Sequence, residues 1–245
     1  MSFALYPLLQ VLAAVTISMG GVGDVVIVLD PAADPPEMHA AEELADFLNQ
    51  VTGGTYPIVS IADPVKANLF VGPDAALIAD PGFSTAGLEE DGTVIRTVGD
   101  DIILAGGKPR GTLYAVYSFL EDQVGCRWWS DTDSTIPSTP SLVIPDLNLT
   151  YVPTFDYRQV SYLNARDKDF SARNKLNGHV QQVNAKRGGR KLVYLANEKW
   201  SAHSMQTLVP ITTYGGSNPQ WYCTPDGLVA NDFTQASMRS TVVAN

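Results

Sequence analysis

The chain has 245 residues, of which 45% are hydrophobic and 17% charged, with 20 Gly and 16 Pro, a balance that excludes disorder, collagen and coiled coil. Its 26 acidic and 16 basic side chains leave a net charge of −10, which repels nucleic acid over most of the surface and suits a neutral or cationic small ligand. Cys126, Cys223, His39, His179 and His203 fall into no CxxC, HxxxH or HExxH spacing, so neither a disulfide framework nor a zinc site is expected, and no cofactor is implied.

The apolar stretch over residues 3–19 is broken by Pro7 and Gln10 and is shorter than the roughly 20 residues a spanning helix needs, so no permanent membrane anchor is expected. Residues 1–20 read either as an export leader cut before Gly21, which would make the protein secreted or periplasmic, or as a first strand or helix of a cytoplasmic fold. No Lys or Arg precedes Lys66, which counts against the leader.

Residues 25–29 (VVIVL) read as a buried strand, and the turn-rich PAADPP that follows leads into an amphipathic helix over 37–51, stopped by Gly53-Gly54. Two further strands are expected over 56–61 and 68–71. A hairpin follows, with strands over 93–98 and 102–105 around Gly99. Residues 112–124 carry one helical stripe (Leu113, Val116, Tyr117, Leu120, Val124) that ends at Gly125. CRWW (126–129) reads as a short strand and 136–151 as an edge strand plus connector, with a domain boundary near Val152. Beyond it, a strand over 155–163, a polar helix over 168–176 and a strand over 192–196 look like the start of a parallel α/β barrel. A complete barrel takes about 250 residues, whereas 245 − 152 leaves 93, so closure within this chain is not expected.

Gly20-Gly21-Val22-Gly23 precedes its strand, which is the wrong context for a dinucleotide fingerprint. Residues 106–111 do lie between strand and helix, where amides could hold an anion, but tight packing explains these glycines more cheaply. The acidic groups Glu42-Glu43, Glu89-Glu90-Asp91, Asp100-Asp101 and Asp131 with Asp133 read as solvated faces and turns, and none is nominated as a glycosidase pair. The basic run 186–191 reads as a solvated loop. SAHS (201–204) and the lone cysteines lack the partners of a nucleophile. Trp128-Trp129, Trp200 beside His203, and Trp221-Tyr222 offer flat faces on which a sugar ring could stack, with Trp200 and His203 foremost, although core packing is the commoner reason for such residues.

HAAEELADFLNQVTGGTYPI (39–58), NLFVG (68–72) and GLEEDGTVIRTVGDDIILAGGKPRGTLYAVYSFLEDQVGCRWW (87–129) together resemble the N-terminal domain of family 67 alpha-glucuronidases. They also resemble the corresponding non-catalytic domain of beta-hexosaminidases. RGTLYAVYSFLEDQVGCRWW is the most specific piece, and it is most similar to a group of bacterial carbohydrate-active proteins in which a domain of unknown function follows this module. PTFDYR (153–158) resembles their first barrel strand. The segment 208–227 resembles a region where relatives carry His-Pro-Glu; here the positions are Asn218, Pro219 and Gln220, so a carboxylate is missing.

The resemblance implies an α/β domain over 21–152, a mixed sheet with helices packed on one side, followed by an incomplete TIM-type barrel over 153–245. It implies a non-catalytic front portion of a glycoside hydrolase acting on xylan, uronic-acid or hexosamine glycans, with its catalytic barrel completed by sequence further on. The alternative is a stand-alone carbohydrate-binding or scaffold module. In either case a carbohydrate is the expected ligand, Arg158, Trp200 and His203 the expected sugar contacts, and Arg110 and Arg127 structural.

Overall fold

The structure, a computed structural model, describes residues 14–178, 180–191 and 209–221. The first compact unit, Met1–Lys191, contains in chain order β1 (Ala14–Met19), β2 (Val22–Gly23), β3 (Val25–Leu29), α1 (Pro35–Thr52), β4 (Ile58–Val59), β5 (Ala67–Val71), α2 (Pro73–Ala79), β6 (Thr93–Val98) and β7 (Asp101–Gly106). There follow α3 (Gly111–Phe119), continued by a π-helical turn (Leu120–Val124), then β8 (Arg127–Trp128), β9 (Ser134–Thr135), β10 (Leu142–Pro145), β11 (Asn148–Tyr151) and α4 (Lys168–Arg173). A second unit, Leu192–Asn245, contributes among its described residues a short helix α5 (Ile211–Tyr214) and a 3-10 turn (Pro219–Trp221).

The fold is a mixed α/β fold. Its main sheet runs β11-β6-β7-β5-β3-β4, with β7, β5, β3 and β4 parallel to one another and β6 antiparallel to both of its neighbours, β7 and β11. The β-branched run of β3 is buried on both sides, as a central parallel strand should be. α1 starts where a capping box forms: the Asp34 side chain accepts from the Glu37 N–H at 3.1 Å and the Glu37 side chain accepts from the Asp34 N–H at 3.1 Å, with prolines in the first turn. It stops at Gly53, whose φ of 81° suits a left-handed cap.

Leu44, Phe47, Leu48 and Val51 of α1 and Leu113, Val116 and Tyr117 of α3 pack on one face of the sheet against Ile27, Leu69 and Leu104. The two long helices thus share one side. A third helix absent from the sequence reading, α2, covers the other face by placing Ala75 and Ala76 against Val26, Val28, Phe70 and Ile103. Its PDAALIA sequence is only seven residues long and carries no stripe to detect. The 93–98 hairpin turns at Gly99, φ 61°, as expected.

Two segments differ from expectation. Residues 136–151 supply two strands in different sheets: β11 extends the main sheet, while β10 pairs antiparallel with β1. Of the stretch considered as a leader, Ala14–Met19 is therefore a strand, with Val15 and Ile17 in the core.

Residues 155–163 contain no strand. Their backbone is committed elsewhere: the Arg158 N–H donates to the Asn177 side-chain oxygen at 2.8 Å and the Arg158 carbonyl accepts from the N–H groups of Asn177 and Gly178. α4 forms where a polar helix was expected, capped by Asp167. Ala165, Phe170 and Ala172 join the main core, so the first compact unit runs past Val152 to Lys191.

Candidate functional site at the junction after Val152

The loop ending in Gly92 lies against the start of α3, and glycines permit it. A Cβ on Gly106 would meet the Gly92 carbonyl at 2.3 Å, and one on Gly107 would meet the Glu89 carbonyl at 1.6 Å. The amides of Gly107, Arg110 and Gly111 donate to the carbonyls of Gly92 and Glu90. The helix start that could have held an anion is therefore satisfied by backbone, and close packing accounts for the glycines.

This loop delivers Asp91 into the interior. Its side chain, 6% exposed, accepts from Arg110 Nε at 2.5 Å, from Arg158 Nη2 at 2.7 Å and from Asn177 Nδ2 at 2.7 Å. Arg110, itself 3% exposed, also pairs with Glu90. One buried carboxylate thus joins α3, the coil after Val152 and the turn at Asn177, neutralised by two guanidinium groups as burial requires. Within the acidic run 89–91, Glu89 and Glu90 lie in an exposed turn as expected, whereas Asp91 is a buried node. No local pattern distinguishes it from its exposed neighbours.

Arg158, expected as a sugar contact, is the second member of that node. Besides Asp91, its Nε donates to the Lys175 carbonyl and its Nη1 to the Phe155 carbonyl, both at 2.8 Å, and its guanidinium lies 5.7 Å from the Tyr114 ring centre. Trp200 and His203 lie outside the described residues, so nothing is placed beside Arg158 from that pair. Arg110 is structural, as expected, and so is Arg127, which donates to the carbonyls of Glu121 and Cys126.

Two hollows flank Arg158 and Pro153. One of about 250 Å³ is lined by Glu89, Glu90, Asp156 and Lys191; the other, about 200 Å³, by Tyr151, Tyr114, Ser118, Asn174 and Lys175. The second has a mostly apolar lining with the exposed Tyr151 ring on it; its Lys175 ammonium is paired with Glu121 and its Asn174 amide donates to the Phe170 carbonyl.

A second clamp holds α4 to α1 and α3. Arg173 makes a bidentate pair with Glu43 at 3.0 and 3.1 Å and stacks 5.0 Å from the Phe47 ring centre, while the Tyr117 hydroxyl donates to Glu43 at 3.1 Å. Trp128 is core, edge-on to Phe47 and Tyr117. Trp129 is exposed and donates to Thr135. The basic run 186–191, expected as a solvated loop, is largely paired: Lys186 with Glu42, Arg187 with Asp169, and Lys191 with Glu90 and Asp156. Cys126 is fully buried, and burial pushes its thiol up to about 11, which leaves it inert.

Open α/β sheets usually take ligands between the C-terminal ends of neighbouring strands whose connections leave on opposite faces. Here those strands are β3, leading to α1, and β5, leading to α2. Lys108, just past β7, fills that crevice: its Nζ lies 3.2 Å from Glu37, 3.3 Å from Asp34 and 4.0 Å from Asp74. Burial pushes the Glu37 carboxyl up, against the pull of the Asp34 amide and Lys108. Gly72, φ 97°, passes so close that a Cβ would lie 3.3 Å from that carboxyl. Among the described residues no group of three or more metal-ligating side chains occurs, and no helix is long and apolar enough to cross a membrane.

In the second unit, the Tyr214 and Trp221 rings are 5.6 Å apart, and Asn218, at the position matched to a histidine in relatives, donates its N–H to the Tyr214 carbonyl.

Solved structures to which parts of this chain are similar include a family GH115 4-O-methyl-alpha-glucuronidase with specificity for decorated arabinogalactans, 16% identical over 59% of this chain and 19% of its own, TM-score 0.44. A mutant beta-hexosaminidase of Streptomyces plicatus is 15% identical over 67% of this chain and 30% of its own, TM-score 0.45. The chain spans less than a third of either. A family model described as a domain of unknown function, DUF4838, matches residues 128–236, from β8 through the junction into the second unit. No curated protein matches the sequence.

Proposed function

We propose that this chain is the non-catalytic front portion of a glycoside hydrolase-like protein that degrades xylan, uronic-acid or hexosamine glycans, and that its α/β module is a platform holding the segment after Val152 in a set position. The observation that carries the proposal is the junction: one buried carboxylate, Asp91, binds both arginines that link module and segment, while the sheet's own ligand crevice is filled by Lys108. Further support comes from the resemblance of residues 110–129 to carbohydrate-active proteins. Polysaccharides do not cross membranes, so export goes with this role. The longer natural reading frame should release a chromogenic sugar, and these 245 residues alone should not. Enzyme-like turnover by these residues, or silence of the longer frame on every glycoside, would overturn the proposal.

The hollow beside Tyr151 favours a second role, a carbohydrate-binding module in which Arg158, Trp200 and His203 contribute sugar contacts. Titration with xylo- and chito-oligosaccharides separates the two: saturable heat of binding that disappears in Tyr151→Ala supports binding, and no heat leaves the scaffold.

A further inference from the structure

His39 lies on α1 where α4 and the 3-10 turn Ala185–Arg187 pack over it. It is 4% exposed, and both imidazole nitrogens are buried with no hydrogen-bond partner among the described residues. Buried polar atoms are nearly always paired, so an imidazole with two orphaned nitrogens is an exception that requires a physical account.

Its charged surroundings are specific. From its own helix Glu42 comes within 3.6 Å of Nδ1, with Glu43 on the following residue. From α4, Asp169 comes within 4.0 Å of Nε2. Lys186 and Arg187 face it from the 3-10 turn, and they already neutralise Glu42 and Asp169 respectively. A proton on His39 would therefore add a third cation to two satisfied ion pairs, at a buried position where loss of solvation opposes the charge.

We propose that His39 makes the attachment of residues 165–191 to α1 sensitive to acid: the neutral imidazole fits beneath the Lys186 and Arg187 ion pairs, and its protonation releases them. Burial foremost, then Arg187 and Lys186, hold the imidazole's proton affinity below that of a free histidine, against the opposing pull of Glu43 and Asp169. The sign follows. A group whose packed-state pKa is depressed and which is basic leaves stability full above the free value near 6.5 and drains it as pH falls toward the packed value. The open form takes up the proton that the packed form refuses, so between pH 7.5 and 5.5 its population rises by up to about tenfold.

Amide hydrogen exchange reads this directly, because the N–H groups of Arg187, Gly188 and Gly189 donate within the turn, to the carbonyls of Asn184 and Ala185. After correction for intrinsic rates, their protection in the 245-residue chain should fall by up to about tenfold from pH 7.5 to 5.5. It should stay level in His39→Leu and His39→Gln, and should fall as before in the control His179→Gln/His203→Gln. Equal pH dependence in the parent chain and the His39 variants, or none in the parent, overturns the proposal. Should the His39 variants not fold, the imidazole titration of the parent decides: an NMR pKa at or above about 6.5 for His39 refutes the device, and a lower one that coincides with the loss of protection upholds it.

Discussion

The crevice between β3 and β5 and the junction after Val152 are built from the same materials, carboxylates meeting basic side chains at the ends of secondary-structure elements, but they end in opposite states. In the crevice a single Lys108 reaches three acids and fills the space. At the junction two arginines and an amide converge on one acid, and hollows remain on both sides of Arg158. The difference lies in rigidity and count. One flexible ammonium covers several carboxylates from the solvent side, whereas planar guanidinium groups bind Asp91 from fixed directions and leave the neighbouring surface uncovered.

The severest disruption of the junction is Asp91→Ala, which strands Arg110 at 3% exposure without its main counter-charge. A loss of about 3–5 kcal/mol is expected in urea unfolding, and a loss under about 1 kcal/mol would mean that the node is not what joins the two parts. Glu43→Gln keeps the shape of the second clamp but removes the charge that Arg173 meets bidentately, and should cost about 1–3 kcal/mol. Lys108→Met should cost less, up to about 1 kcal/mol at pH 7.5, since Lys108 is half exposed and its pairs are screened.

That last change also has a pH signature. The Glu37 carboxyl is pushed up by burial, so folding favours its protonated form. The penalty for keeping it ionised is present above its folded pKa and is relieved as pH falls toward the unfolded value. With Lys108 gone the carboxyl rises further, and the deficit of Lys108→Met against the parent should shrink between pH 7.5 and 4.5. A deficit constant with pH would show that Lys108 does not neutralise Glu37. The mildest change, Tyr151→Ala, should stay within about 0.5 kcal/mol in stability, because Tyr151 is an exposed surface residue; its effect belongs to ligand titration alone.

The parts of this fold legible in the sequence are those whose signals are local. The β3 run, the glycine stop of α1, the hairpin at Gly99 and the stop at Gly125 each lie within a few residues of the structure they specify. The close packing of glycines 106–111 is legible from their place between a strand and a helix, whereas Arg110 is marked as structural only by the family resemblance, since its partner Asp91 lies 19 positions away. The candidate site is not legible in the sequence, because its pairings are distant. Arg158 meets Asp91 across 67 positions, Arg173 meets Glu43 across 130, and Lys186 meets Glu42 across 144. Runs of like charge look solvated when read one at a time, and only the fold shows that Asp91 and Arg187 have turned inward. Residues 155–163 alternate like a strand, yet side-chain acceptors from Asn177 take the backbone donor that a ladder would need.

The pairing of β1 with β10 also sets a clock on synthesis. The Ser18 hydroxyl accepts from the Leu142 amide, 124 positions later, so β1 stays without this partner until most of the unit has emerged. At translation rates of about 5–20 residues per second, that interval is roughly 6–25 s. Throughout it the edge of β1 that β10 will take stays unpaired, while β2 occupies the opposite edge, and an open strand edge is a template for pairing with other chains.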